Sequence, residues 1–385
     1  MYTAELIKNP YNFTDEQIAF GRLAYKISKK YENKSLGDEE ATEAHWKELV
    51  DAGFAGLYLP EEYGGLGESM LTLCLVFEQT SAAGRPAHRL VRGQSICSTI
   101  FLRNGSREQC DRWLPGVVSG KTHFAFGLTE EHSGSNAPKM KTTARQKGNK
   151  WIIKGEKTYI SEVDKCGALL LAASTPEANG GITLFVCDFP NPQIATQRVY
   201  LNNMVSYAKQ FTLFIDDLEL GPDAVVGEVG KGMKYLFDGL NPERLLVASQ
   251  AVGLGRWGIE KAVAYASQRQ VFDDVIGKYQ AIQHPLGEAY ALLEGAWALT
   301  VAAARQYDTG SQAGDEANAA KLIATDAGFF AMDRALQTHG GSGYTTETMI
   351  LEKYLIARLI KSAPISREMA LNHIARSSLG LPKSY

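Results

Sequence analysis

The sequence predicts an α+β protein made of a helical part, a part of short strands and a second helical part, in that order. Three observations predict it. Apolar residues recur at helical spacing up to Lys121. Short β-branched or aromatic segments follow in series from Thr122 to Gly232, and the helical spacing then returns. The expected domains are therefore 1–121, 122–232 and 233–385. A length of 385 residues agrees with two or three domains at roughly 150 residues each.

In the first part, Asp15–Glu32 carries Ile18, Leu23, Ala24, Ile27 and Tyr31 close to one helical face, and Glu43–Ala52 repeats the pattern with Trp46, Leu49 and Val50. Pro60 and the pair Gly64–Gly65 mark Tyr58–Gly67 as a loop. Met70–Ala83, Gln94–Arg103 and Arg107–Val118 read as further helices. In the middle part the expected strands are His123–Thr129, Thr142–Gln146, Trp151–Tyr159, Ala168–Ala173, Ile182–Asp188 and Gln210–Leu218. Lys147-Gly148-Asn149 joins two of them as a hairpin. No helical pattern lies between these strands, which indicates antiparallel pairing rather than βαβ units. In the last part Asn241–Pro242 opens a long helix, with Asn as N-cap and Pro at the first helical position. His284–Gln306, Asp315–Leu336 and Thr348–Ile360 follow, the last running on towards Arg376.

Composition narrows the function. Hydrophobic residues make up 45% and charged residues 22%, which excludes a disordered or collagen-like chain. Lys plus Arg is 40 against 43 for Asp plus Glu, a net charge of −3, so neither nucleic acid nor a membrane surface is expected as partner. The cysteines Cys74, Cys97, Cys110, Cys166 and Cys187 are scattered and form no C-x-x-C pair, as expected in a reducing compartment. Met1–Pro10 has neither a basic segment followed by an apolar run nor an Arg-rich character, and no stretch is long enough to span a membrane. The expectation is a cytoplasmic protein acting on a small molecule.

Several motifs point elsewhere. Gly253-Leu-Gly-Arg-Trp-Gly258 has the spacing of a dinucleotide-binding turn, with Asp273 further on. It follows a helical pattern rather than a strand, so small residues at a close helix–helix approach are the better account. The seven histidines form no metal-binding spacing, and no G-x-S-x-G is present.

Other segments belong together: Leu59-Pro-Glu-Glu-Tyr-Gly-Gly65, Leu128-Thr-Glu-Glu-His-Ser-Gly-Ser135, Gly155-Glu-Lys-Thr-Tyr-Ile-Ser161 and Pro242-Glu-Arg244. Arg269-Gln-Val-Phe272 with Gln280, Gln337-Thr-His-Gly-Gly-Ser-Gly-Tyr344 and Tyr354-Leu-Ile-Ala-Arg358 complete the set. In this order they resemble the acyl-CoA dehydrogenase family over essentially the whole chain. The resemblance implies an N-terminal helical domain, a middle antiparallel β-barrel-like domain and a C-terminal four-helix domain. It implies FAD as cofactor, an acyl-CoA substrate, α,β-dehydrogenation to the trans-2-enoyl-CoA, electron-transferring flavoprotein as acceptor and a homotetramer.

The resemblance also assigns residues. Thr129 and Ser161 match positions that hydrogen-bond the flavin ring, where such bonds stabilise developing charge. Gly134 and Ser135 match a loop bordering flavin and CoA. Arg269 matches an arginine that reaches the FAD pyrophosphate of a neighbouring subunit. Phe272 and Gln280 match adenosine-side contacts, and Gln337, Gly340 and Gly341 a phosphate-cradling loop. Ser366 is placed with the cofactor-binding residues, and Asn241 and Arg244 with the substrate.

The base departs from the majority pattern. Most members carry a Glu where this chain has Pro364, in Ala363-Pro-Ile-Ser366. A minority, including branched-chain and some long-chain enzymes, carry the base immediately before the arginine matched by Arg244, and that residue is Glu243. Read locally, Glu243 is a first-turn carboxylate favoured by the helix dipole. Pro364 also lacks the N–H that binds the thioester oxygen in the family, and Leu355–Ile356 stands where Arg-Asp is usual. Three readings follow. The first is a dehydrogenase using Glu243 on a branched or bulky acyl group, the second a same-fold flavoenzyme acting on a non-CoA substrate. The third is a catalytically silent subunit of a heteromeric dehydrogenase.

Overall fold

The computed structural model describes residues 10–202 and 208–384, so the Met1–Pro10 stretch read for targeting lies, up to Asn9, outside the described residues. The first helices are α1 (Asp15–Lys29), α2 (Glu39–Asp51), α3 (Met70–Ala82), α4 (Ser98–Asn104) and α5 (Arg107–Val118). Capping boxes start two of them. Thr14 and Gln17 exchange hydrogen bonds at α1, and Ser106 and Gln109 do so at α5. Helix α3 is buried at every position, and Asp308 accepts from its first N–H groups, those of Met70 (2.8 Å) and Leu71 (3.1 Å). The helix expected at Gln94–Arg103 starts in π geometry at Val91–Cys97 before α4. Gln94 there donates to Phe54 O at 2.6 Å and accepts from Tyr58 N at 2.7 Å, fixing the loop ahead of Pro60.

The strands are β1 (Phe124–Gly127), β2 (Thr143–Lys147), β3 (Lys150–Ser161), β4 (Ala168–Thr175), β5 (Gly181–Asp188), β6 (Ile194–Val199), β7 (Gln210–Leu220) and β8 (Val225–Val226). They form one sheet in the order β6-β7-β3-β2-β4-β5-β8, with β1 alongside β4. The predicted hairpin closes where Lys147 pairs with Lys150. Most pairings are antiparallel, but β1 runs parallel to β4, as does β2 at its single register pair, Thr143 with Ser174. Strand β6 escaped the sequence reading because Ala195, Thr196, Gln197 and Arg198 are all exposed, which leaves no apolar alternation to see. Trp151, Ile153, Leu169, Leu171, Phe185, Leu213 and Ile215 fill the core on one face.

The last part contains α6 (Gly232–Ala266), the short pair β9 (Gln270–Val271) and β10 (Asp274–Val275), α7 (Gln280–Asp308), α8 (Gly314–His339), α9 (Ile350–Leu359) and α10 (Arg367–Ser377). Two expectations are corrected here. Helix α6 begins at Gly232, so Asn241 is not an N-cap and Pro242 lies in the helix interior. Buried Tyr235 and Leu236 carry the helical pattern back beyond the proline, and packing overrides the lost N–H. The pattern expected to run on to Arg376 is also broken. Pro364 disfavours helix at the residue before it and supplies no N–H, so α9 and α10 are separate.

The chain forms two compact units. One gathers the chain up to Leu49, Glu68–Ala87 and everything from Asn241 on; the other holds Val50–Gly67 and His88–Leu240. The decoy glycines are explained within the first unit. A Cβ on Gly253 would meet Glu78 O at 2.2 Å, one on Gly255 Leu293 Cδ2 at 2.6 Å, and one on Gly258 Met332 Sδ at 2.6 Å. These glycines admit neighbouring helices, as the sequence context indicated.

Candidate active site

In the unit that carries the sheet, the matched motifs Leu128–Ser135 and Gly155–Ser161 are locked to each other. Thr129 follows β1, and its carbonyl accepts from Thr158 N at 2.9 Å. Next to it, Glu130 accepts from Lys141 N (2.5 Å), Thr142 N (2.9 Å) and the Lys157 ammonium (2.9 Å), and the same ammonium donates to Leu128 O at 3.1 Å. Lys157 is fully buried; burial pushes it down to about 8 although Glu130 opposes the shift. Burial alone would raise Glu130, but the Lys141 N–H, Thr142 and Lys157 outweigh it and leave its carboxyl below the ordinary range. Ser133 closes the loop by donating to Asn136 O at 2.7 Å. Gly134 and Ser135 stay exposed.

Strand β3 is irregular between Lys157 and Ile160, and the irregularity turns Tyr159 outwards at φ 57 with 59% exposure. Ser161 ends the strand half-buried, its hydroxyl accepting from Gln210 Nε2 at 2.9 Å. Behind it, Glu162 is buried at φ 50 and holds Arg89 at 3.1 Å and His88 at 3.0 Å.

In the other unit, α6 presents Asn241, Glu243 and Arg244 together. Asn241 and Arg244 are buried, Glu243 half-buried. Asn241 donates to Gln312 O at 3.0 Å and accepts from Arg244 Nη1. Burial lowers Arg244 to about 10 against the attraction of Glu243. The first-turn reading of Glu243 is corrected by the same geometry: the helix starts well before it, so the dipole end, which acts over one turn, does not reach it.

Arg269, Phe272 and Gln280 lie along one exposed hairpin and the helix after it. Strands β9 and β10 pair through Val271 and Asp274, and Ile276 N donates to Arg269 O at 2.8 Å. Phe272, at the tip, has φ 59 and is 91% exposed. Gln337, Gly340 and Gly341 share the exposed end of α8, with Gly340 at φ 54. Ser366 is the N-cap of α10, its hydroxyl accepting from Met369 N at 3.2 Å, and Pro364 is exposed between the last two helices.

Known proteins can now be set beside this geometry. Family models described as the acyl-CoA dehydrogenase N-terminal, middle and C-terminal domains match residues 14–121, 125–218 and 230–379. The chain belongs to the acyl-CoA dehydrogenase family. It is 41% identical over 360 residues to the acyl-CoA dehydrogenase fadE12 of Mycobacterium bovis, covering 92% of both chains. Among solved structures it resembles butyryl-CoA dehydrogenase from Megasphaera elsdenii, with a TM-score of 0.87 at 26% identity over 96% of this chain and 100% of that one. It also resembles a glutaryl-coenzyme A dehydrogenase in complex with glutaryl-CoA, with a TM-score of 0.88 at 26% identity over 97% and 98%.

Acyl-CoA dehydrogenases are FAD-dependent oxidoreductases, and the residues present fit that cofactor. A Cβ on Gly134, Gly340 or Gly341 would meet nothing within 4 Å, so these glycines face open space rather than their own chain. Exposed Phe272 and Tyr159 offer ring faces that the protein itself does not cover. The sequence reading missed Lys157, Glu130, Glu162 and Arg89. Lys157 and Glu130 lie inside quoted motifs, but only the fold reveals their pairing. Among the described residues no helix is long and apolar enough to cross a membrane, and no group of His, Cys, Asp and Glu is arranged to hold a metal.

Proposed function

We propose that the protein is an FAD-dependent acyl-CoA dehydrogenase that converts an acyl-CoA, branched or bulky at the acyl group, to the trans-2-enoyl-CoA, with Glu243 as base. The carrying observation is a half-buried carboxylate beside buried Arg244 in a member of this family whose other base position is Pro364. Glu243 takes the α proton, and the electron pair of that C–H bond becomes the new double bond as a hydride leaves the β carbon. FAD, when bound, supplies the acceptor for that hydride. Thr129 and Ser161 contribute hydrogen-bonding groups to the flavin ring, and both are held by the bonds described above. Arg269, Phe272, Gln280, Gln337, Gly340, Gly341 and Ser366 hold the cofactor, with Gly134 and Ser135. Asn241 and Arg244 orient the thioester. Electron-transferring flavoprotein reoxidises the enzyme, a homotetramer of the cytoplasm.

Anaerobic absorbance titration of the FAD-loaded protein with straight and branched acyl-CoAs tests this reading. Bleaching of the flavin band by one class names the substrate; bound flavin that no thioester bleaches refutes the dehydrogenase. Glu243→Gln should keep flavin bound and slow its reduction by about 10²–10⁴-fold, the usual worth of a positioned base. Undiminished reduction would remove Glu243 from the mechanism.

A further inference from the structure

Gln210 opens β7 directly opposite Ser161, the last residue of β3, so the two side chains leave the sheet on the same side. The adjacent pair, Phe211 and Ile160, belongs to the core. Alternation therefore turns Gln210 and Ser161 to the face away from that core, where both are half-buried. Both N–H bonds of the Gln210 amide are engaged. Nε2 donates to Ala208 O at 3.0 Å and to the Ser161 hydroxyl at 2.9 Å. A backbone carbonyl only accepts, so Ala208 fixes which end of the amide is nitrogen. Oε1 lies 3.2 Å from the same hydroxyl. One planar amide cannot align both of its ends with a single oxygen, however, and the shorter contact is the N–H bond. A serine hydroxyl has one proton and two lone pairs. With one lone pair filled by Gln210, the proton is left for an acceptor beyond the sheet. The backbone joins the two strand ends without the help of this bond, because Glu162 N donates to Lys209 O at 2.7 Å.

We propose that Gln210 is a positioning residue for the flavin: by donating to Ser161 it turns the serine O–H outwards and makes Ser161 a hydrogen-bond donor to the flavin ring. The proposal rests on the reading of Ser161 as a flavin contact. A donor fixed in that sense stabilises the negative charge that reduction places on the ring, and it needs no reorientation when that charge arrives. Without Gln210 the hydroxyl is still present, but its proton is free to rotate among several directions.

The readout is the two-electron reduction potential of the FAD-loaded protein, measured anaerobically against a reference dye with no acyl-CoA present. Ser161→Ala should lower the equilibrium constant for flavin reduction about tenfold, or about 30 mV. Gln210→Met, similar in length but unable to donate, should lower it about threefold, or about 15 mV. In the Ser161→Ala background Gln210→Met should have no further effect, because its influence passes through the hydroxyl. Gln210→Glu is the second variant: its carboxylate accepts the serine proton and draws it inwards. The effect of its charge alone appears in the Ser161→Ala background, and a larger drop with Ser161 present measures the lost donor. A residue that only braced the sheet edge would lower the urea midpoint and leave the potential where it was. A wild-type potential in Gln210→Met, or the same drop recurring in the Ser161→Ala background, overturns the inference. A wild-type potential in Ser161→Ala removes the flavin contact and the role of Gln210 with it; a lowered one beside an unmoved Gln210→Met removes only Gln210.

Discussion

Lys157 and Lys321 are both fully buried lysines that burial lowers to about 8, yet their partners differ in kind. Lys157 touches a carboxylate, and that carboxylate is itself saturated by two backbone N–H groups. Its charge is spent locally, on joining the loop after β1 to strand β3. Lys321 touches only carbonyls, those of Lys361 and Ile365, and so holds the turn between α9 and α10. A third fully buried lysine, Lys353, also donates to a backbone carbonyl, Glu32 O at 3.3 Å, so a carboxylate in contact is not the rule for buried lysines in this chain.

The largest effect expected is on folding. Lys157→Met leaves Glu130 buried without its cation, and breaking such a pair costs about 3–5 kcal/mol. Lys321→Met forfeits two hydrogen bonds but abandons no contacting charge, a loss of about 1–3 kcal/mol. Urea unfolding of both variants measures the difference. Equal losses would break the contrast and mean that two carbonyls hold a buried ammonium as firmly as a carboxylate does.

What the sequence made legible follows the same division. The helical–sheet–helical order, the hairpin at Lys147–Asn149 and the reason for Gly253, Gly255 and Gly258 could all be read from periodicity and context, because each is a local pattern. The start of α6 could not. Asn241–Pro242 is a sound local start signal, but Leu236 is buried before it and tertiary packing outweighs the signal. Strand β6 was hidden by its exposed polar residues. The candidate site was legible as motifs, and the family supplied their meaning. The contacts that hold those motifs, Glu130 to Lys157 and Glu162 to Arg89, join residues distant in sequence, which no spacing rule reaches.

A middle-sized effect concerns Pro364, exposed on the turn that Lys321 holds. Pro364→Gly restores a backbone N–H while the carbonyls of Lys361 and Ile365 keep their ammonium. If that N–H joins the thioester oxygen as in the rest of the family, flavin reduction should quicken about tenfold, or 1.4 kcal/mol of barrier. The added freedom of glycine offsets part of what such a donor is usually worth. A rate that falls would show that the turn's stiffness matters more than the missing donor, and would align this turn with the scaffold around Lys157.

The smallest effect separates two roles for one residue. Ser366 was expected to serve the cofactor, and its oxygen already caps α10 by accepting from Met369 N. A hydroxyl has one proton to donate and a second lone pair, so the cap leaves the O–H free for a ligand. Ser366→Ala removes both functions and should cost about 1 kcal/mol of stability. Ser366→Asp keeps the cap, because an aspartate oxygen accepts from the same N–H, but it cannot donate when ionised. The two variants should therefore differ in thermal midpoint and agree in weakened flavin retention, measured by dialysis of the loaded protein. Full retention in Ser366→Asp would leave Ser366 a cap and nothing more. The cofactor contacts of this unit would then rest on the exposed hairpin at Phe272 and on the glycine loop at the end of α8.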